Sequence, residues 1–166
     1  LKEGKGKLLD YHLTKEQAVL DEGAICGGEM KVFIDILQPK EEVLIFGAGH
    51  IAVCLSKLAK MVGFRVIIVD ERKEFANRAR FPEVDQIIIK EADKALTNVK
   101  VTSFTYVVIV TKGHLQDEEA LFSVINLDVG YIGMIGSCKK NATVFQRLAK
   151  KGISQEELDK IHTPIG

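Results

Sequence analysis

"VLIFGAGHIAVCLSKLAKMVGFRVIIVDER", Val43 to Arg72, decides the fold. An apolar run enters a pair of glycines, a helical pattern follows, and a second apolar run ends in Asp70. Gly47, Ala48, Gly49, His50, Ile51 and Ala52 read as G-x-G-x-x-A between a strand and a helix. Gly47 supplies the tight turn, Gly49 lets the backbone approach a pyrophosphate, and Ala52 lets the helix lie close on the strand. Free N–H groups at the helix start then face the anion. Asp70 closes the next strand, about 20 residues on, where such an acid accepts from a ribose hydroxyl. The acid argues for an unphosphorylated ribose, although Arg72 is placed to meet a 2′-phosphate. His50 is not a residue the turn requires; a ring there can stack on a ligand or bond to phosphate oxygens. Ile51, Leu55, Leu58, Ala59 and Val62 recur at helical spacing as one stripe expected to face the core, with Cys54 also read as core. Gly63 stops the helix.

Outward from this stretch, strand and helix patterns alternate. Strands are expected at Gln86–Ile89, Phe104–Val110 and Tyr131–Ile135. Helices are expected from about Lys73 and over about Asp117–Leu127, Lys139–Lys150 and Gln155–Lys160. Runs such as "YVVIV" and "RVIIV" are continuously apolar, as strands are when helices cover both faces of a parallel sheet. The fold class expected is α/β: a doubly wound, parallel Rossmann-like sheet over residues 39–166 with a small N-terminal α+β segment, 1–38.

That segment has its own pattern. "GKLLDYHL" and "EMKVFIDIL" read as strands, and Thr14 with Gln17 reads as a capping-box start for a short helix. Cys26 lies in "GAICGG"; a thiolate on a glycine loop is a soft metal ligand or a nucleophile, although most buried cysteines only pack. Two strands and one short helix cannot close a domain alone, so the segment is expected to pack on the rest of the chain, on preceding sequence or on another subunit, and homo-oligomerisation is expected because its strands need somewhere to pair.

Two further loops fall at the carboxyl ends of strands, the edge where open α/β sheets bind ligands. Thr111, His114 and Asp117 share "TKGHLQDEE", with Asp117 also suited to cap the following helix. Gly136, Ser137, Lys139 and Lys140 lie in "IGSCKK". Lysines in a helix's first turn are disfavoured by about 0.3–1 kcal/mol each, a cost that a bound anion reverses, so this loop reads as a second phosphate grip.

Composition sets the bounds. Hydrophobic residues make up 46% of the 166 and charged residues 28%, a globular balance. Lys+Arg and Asp+Glu stand at 23 each, so no basic field draws the chain to nucleic acid or membrane. No signal peptide or long apolar span is visible, and a cytoplasmic location is expected. Cys26, Cys54 and Cys138 are too scattered for a disulfide framework or structural zinc site. A start at Leu1 and a stop after "TPIG" read as cut ends.

Taken in order, "CGGEMKVFIDIL", the glycine-turn stretch, "GH..D", "YIGMIGSCKK" and the terminal "PIG" resemble the XdhC/CoxI family, the xanthine dehydrogenase accessory proteins. The resemblance covers nearly the whole chain and implies an accessory protein rather than a catalyst. It implies binding of molybdenum cofactor (a molybdopterin, in some enzymes nucleotide-linked) and help with its sulfuration and insertion. The implied partners are a molybdenum hydroxylase such as xanthine dehydrogenase, and a cysteine desulfurase. It makes Cys26 a candidate molybdenum contact and puts His114 and Asp117 on the ligand; Cys26, His114 and Asp117 are the catalytic candidates if turnover occurs. The alternatives on the same fold are an NAD(P)-dependent oxidoreductase and a nucleotide-sensing module.

Overall fold

The structure, a computed structural model, describes residues 6–13, 28–35 and 39–165. The helix expected from Thr14 and the Cys26 loop lie outside the described residues. The chain divides into two compact units, Leu1–Pro39 and Lys40–Gly166. In the first, β1 (Lys7–Leu13) pairs antiparallel with β2 (Gly28–Ile34), setting Leu9 opposite Val32 and Tyr11 opposite Met30.

In the second unit, five strands form one parallel sheet: β3 (Glu42–Phe46), β4 (Arg65–Val69), β5 (Gln86–Ile88), β6 (Thr105–Ile109) and β7 (Tyr131–Met134). Their order is β5-β4-β3-β6-β7. The β-branched runs are buried on both faces, as the continuous apolar pattern requires. On one face Ile45, Val66, Ile68, Ala52, Ala59 and Phe81 form a core; on the other Leu44, Phe46, Ile67, Val107, Leu121 and Leu148 do. The sheet is doubly wound. The chain's tail continues it: the His162 N–H donates to Ile132 O at 2.9 Å and the Met134 N–H to His162 O at 3.0 Å, covering β7's outer edge.

The helices are α1 (His50–Met61), α2 (Ala92–Ala95), α3 (His114–Val124), α4 (Cys138–Lys150) and α5 (Gln155–Leu158). Three expectations are corrected. The face that α1 buries is Ala52, Ser56 and Ala59, while Ile51, Leu58 and Val62 are 50%, 59% and 72% exposed and Cys54 is exposed too. Small residues win because they let the helix axis approach the sheet. Ser56 loses nothing there, since its hydroxyl donates to Val53 O at 3.0 Å.

No helix follows β4; residues 73–82 form successive turns. Asn77 explains it. Its Nδ2 donates to Lys73 O and Glu74 O at 3.3 and 2.8 Å, and its Oδ1 accepts from the Arg80 N–H at 3.2 Å. A side chain that binds nearby backbone competes with the helical ladder. Finally, α3 begins at His114 with Gly113 as its N-cap, so Asp117 is not a cap. α2, and the short 3-10 turn Leu96–Asn98 after it, carry no periodicity long enough to read.

Candidate functional site

The strand order reverses between β3 and β6, which makes a crevice at their carboxyl ends, the place where open α/β sheets take ligands. The glycine turn fills its rim. Gly47 has φ +106°, and a Cβ on it would lie 2.5 Å from Val110 O, so only glycine fits against the β6 backbone. Its N–H donates to Val69 O at 2.7 Å. Gly49 is the opposite case: a Cβ there would meet nothing within 4 Å. It faces open space at the start of α1, which no side chain caps and whose first turn holds no acid. Such an end offers backbone N–H groups to an anion. Gly113 opens α3 without a side-chain cap as well, but the first turn of that helix already holds the buried Asp117 carboxylate.

Asp70 is 8% exposed and closes the turn from the β4 side. Its carboxylate accepts the Ala48 N–H at 2.8 Å, the Arg72 N–H at 2.9 Å, and Arg72 Nε and Nη2 at 2.9 and 2.7 Å. Burial alone would raise its pKa, but these hydrogen bonds and the Arg72 charge outweigh it and hold the carboxyl below its usual range. The Arg72 guanidinium lies over the Phe75 ring at 4.2 Å, and Arg80 lies over the same ring at 5.2 Å. Arg80 Nη2 also donates to Ala48 O at 3.2 Å. Ala48 is thus gripped at both ends of the residue, through its N–H and its carbonyl.

Across the crevice, Asp117 is fully buried and anchors a polar chain. The Thr111 hydroxyl donates to its carboxylate and lies 3.1 Å from Gly113 O. Lys140 forms an ion pair with the other oxygen. The loops after β6 and β7 are therefore tied through one buried charge. Ser137 caps α4, accepting the Lys140 N–H at 3.3 Å. Gly136, at φ +151°, is packed against Asn141, whose Nδ2 donates to Gly136 O at 3.1 Å. Lys140 is committed inward to Asp117, while Lys139 stays exposed.

Of the residues expected at a site, Gly47, Asp70, Arg72 and Thr111 line one cleft together with Gln116. His114 instead lines the neighbouring groove with Leu115 and Phe122. His50 is exposed at the first position of α1, and Cys26 lies outside the described residues. Sequence reasoning missed Phe75 and Arg80. The signal was the basic, aromatic composition of "RKEFANRAR" directly after the strand-end acid. Among the described residues no group of three or more His, Cys, Asp or Glu could hold a metal ion, and no helix is long and apolar enough to cross a membrane.

Residues 43–166 match the model of the XdhC Rossmann domain. The chain is 28% identical over 145 residues to the uncharacterized protein YqeB of Escherichia coli (strain K12), covering 87% of this chain and 26% of that protein. It is 29% identical over 109 residues to a protein of Bacillus subtilis (strain 168) described as a probable subunit of xanthine dehydrogenase, covering 66% of this chain and 33% of that protein. Its structure resembles the crystal structure of a xanthine dehydrogenase from Bacillus halodurans with a TM-score of 0.67 and 26% identity, over 83% of this chain and 38% of that one. The chain spans about a quarter to a third of the length of these curated relatives. A glycine turn at the switch point of a five-stranded parallel sheet, matched from Val43 onward, makes this chain a member of the XdhC family through its Rossmann domain.

Proposed function

We propose that this chain is an accessory module that binds a phosphate-bearing molybdenum cofactor and serves a xanthine dehydrogenase-type molybdenum hydroxylase. One observation carries the reading: the uncapped, acid-free start of α1 at Gly49 lies at the rim of the switch-point crevice, and Gly49 leaves its approach open. Backbone N–H groups so placed suit a phosphate or pyrophosphate. The relatives' names, one of which is that of a probable xanthine dehydrogenase component, support the choice of client.

The described residues fit the anionic end of such a cofactor. The helix-start N–H groups of Gly49 and His50 would hold a phosphate, since those of Gly47 and Ala48 are taken by Val69 O and Asp70, with Thr111 at the crevice's far side and His114 in the adjoining groove. A contact between Cys26 and the molybdenum belongs to the same reading. When bound, the cofactor would bring the oxygen-transfer centre that the client enzyme uses. The chain's own part is to bind and to orient. Partnership with a cysteine desulfurase, self-association and a cytoplasmic location belong to the same reading.

The test is retention. Purified protein mixed with cofactor released from a molybdenum hydroxylase is passed over a sizing column, and molybdenum and pterin are measured in the protein peak. Near-stoichiometric pterin is the expected result. Absence of pterin together with tight NAD binding would refute the reading in favour of a nucleotide-sensing or dehydrogenase module.

A further inference from the structure

Helix α1 carries an apolar stripe that nothing among the described residues covers. Ile51, Leu58, Met61 and Val62 are 50%, 59%, 82% and 72% exposed, Cys54 is exposed and Leu55 is half-buried. At about 100° per residue these six fall within one band roughly 120° wide, clear of the face that buries Ala52, Ser56 and Ala59. No charged residue lies inside the band. Single exposed aliphatics are ordinary, but a contiguous run of them marks a contact surface.

Its pattern and its rim select a second copy of this chain. Ile51, Leu55, Leu58 and Val62 have a spacing that reads the same in both directions. An antiparallel copy therefore sets Ile51 against Val62 and Leu55 against Leu58 about a two-fold axis, the self-complementary contact of closed dimers. The rim is self-complementary in charge. Lys57 on α1 and Glu83 in the connection between β4 and β5 are exposed and line the same hollow, and neither forms an ion pair among the described residues. Each lysine can meet the glutamate of the other copy. Lys60 is not free to do so, being tied to Asp85 at 2.8 Å. Lys+Arg and Asp+Glu balance at 23 each, so no net charge holds two copies apart.

We infer that α1 is the face through which two copies of this chain meet, by antiparallel packing of the stripe from Ile51 to Val62. The contact is separate from the β1–β2 ribbon and does not depend on what the glycine turn binds. A helix of 12 residues is only about 18 Å long. The interface is correspondingly small, near or below about 1,200 Å² in total, and the dimer is expected to be weak, with a Kd on the order of 10 μM.

Sedimentation velocity of the full chain across the micromolar range tests it, and a reversible monomer–dimer equilibrium is the expected result. Leu58→Glu buries a charge near the two-fold axis and should raise the Kd about ten-fold or more. The same variant should keep its circular dichroism spectrum at low concentration, because Leu58 is exposed in the single copy. Lys57→Glu should weaken the dimer, and adding Glu83→Lys should restore it. In a Cys26→Ser, Cys138→Ser background, a short bis-maleimide should join Cys54 to its mate, which lies about 8 Å further along the paired axis. Leu58→Glu should abolish that cross-link. A monomer throughout the range would leave the stripe to a different partner and overturn the inference. A dimer indifferent to Leu58→Glu, or one that Cys54 does not cross-link, would place the contact elsewhere, the β1–β2 ribbon included, and overturn it as well. Cofactor retention is read separately, so either result stands apart from the accessory function.

Discussion

Gly47 and Gly49 are two residues apart and do different jobs. At Gly47 a side chain collides with Val110 O and the backbone is left-handed, so Gly47→Ala should cost at least about 2 kcal/mol and lower the urea midpoint. Gly49→Ala meets open space and should stay within about 1 kcal/mol of wild type, yet weaken binding, because the added methyl lies where the ligand's phosphate approaches. The two variants separate fold from function when midpoint and cofactor retention are measured together. Asp117 gives the opposite kind of prediction. Removing one partner of a buried pair strands the other charge; since Lys140 is 27% exposed, Asp117→Ala should cost roughly 2–3 kcal/mol rather than the full buried-pair penalty. Adding Lys140→Met should recover part of that loss. Asp70 sets an acid limit. Its folded pKa is lowered, so its contribution is complete above the unfolded carboxylate value of about 4 and disappears as pH falls through the lower folded value. Asp70→Asn should therefore flatten the acid limb of a stability–pH curve, and an unchanged limb would remove Asp70 from that role.

At the scale of elements, α1 shows which property of a helix decides its buried face. Its large aliphatics look outward while Ala52, Ser56 and Ala59 meet the sheet. Leu58→Gln should accordingly change stability by no more than about 0.5 kcal/mol, whereas Ala59→Leu should overpack the contact and cost about 1–3 kcal/mol. Thermal melts of the two variants would distinguish this face from the stripe that periodicity alone picks out. The connection after β4 makes a related point. Asn77 replaces helical hydrogen bonds with its own, and the irregular path that results puts Phe75 and Arg80 beside Ala48. A regular helix there would follow a different course and carry those side chains elsewhere.

For the molecule as a whole, residues 40–166 hold both cores and every helix of the described residues. Expressed alone, this stretch should unfold in one cooperative transition, with heat-denaturation curves from fluorescence and circular dichroism superimposing. The β1–β2 ribbon differs: two strands are marginal in water without something to pack on. Packing on other parts of the protein or on a second copy would supply it, and light scattering that shows a stable monomer at micromolar concentration would remove the second copy from that choice.

The parallel sheet, its five strands and the position of the glycine turn were legible in the sequence, because continuous apolar runs and a G-x-G-x-x-A turn are local signals. Strand β4 was read to the residue, Arg65–Val69. The residue types at the crevice were legible as well, since the carboxyl ends of the strands follow from the strand pattern. What each side chain binds was not. That Asp70 is saturated by Arg72, that Lys140 turns inward to Asp117 and that Arg80 reaches Ala48 are meetings of residues 2, 23 and 32 positions apart in the chain, the last bringing two connecting loops side by side. Hydrogen-bond capacity is a property of each residue; whether it is already spent depends on its neighbours in space, and only the tertiary structure decides that.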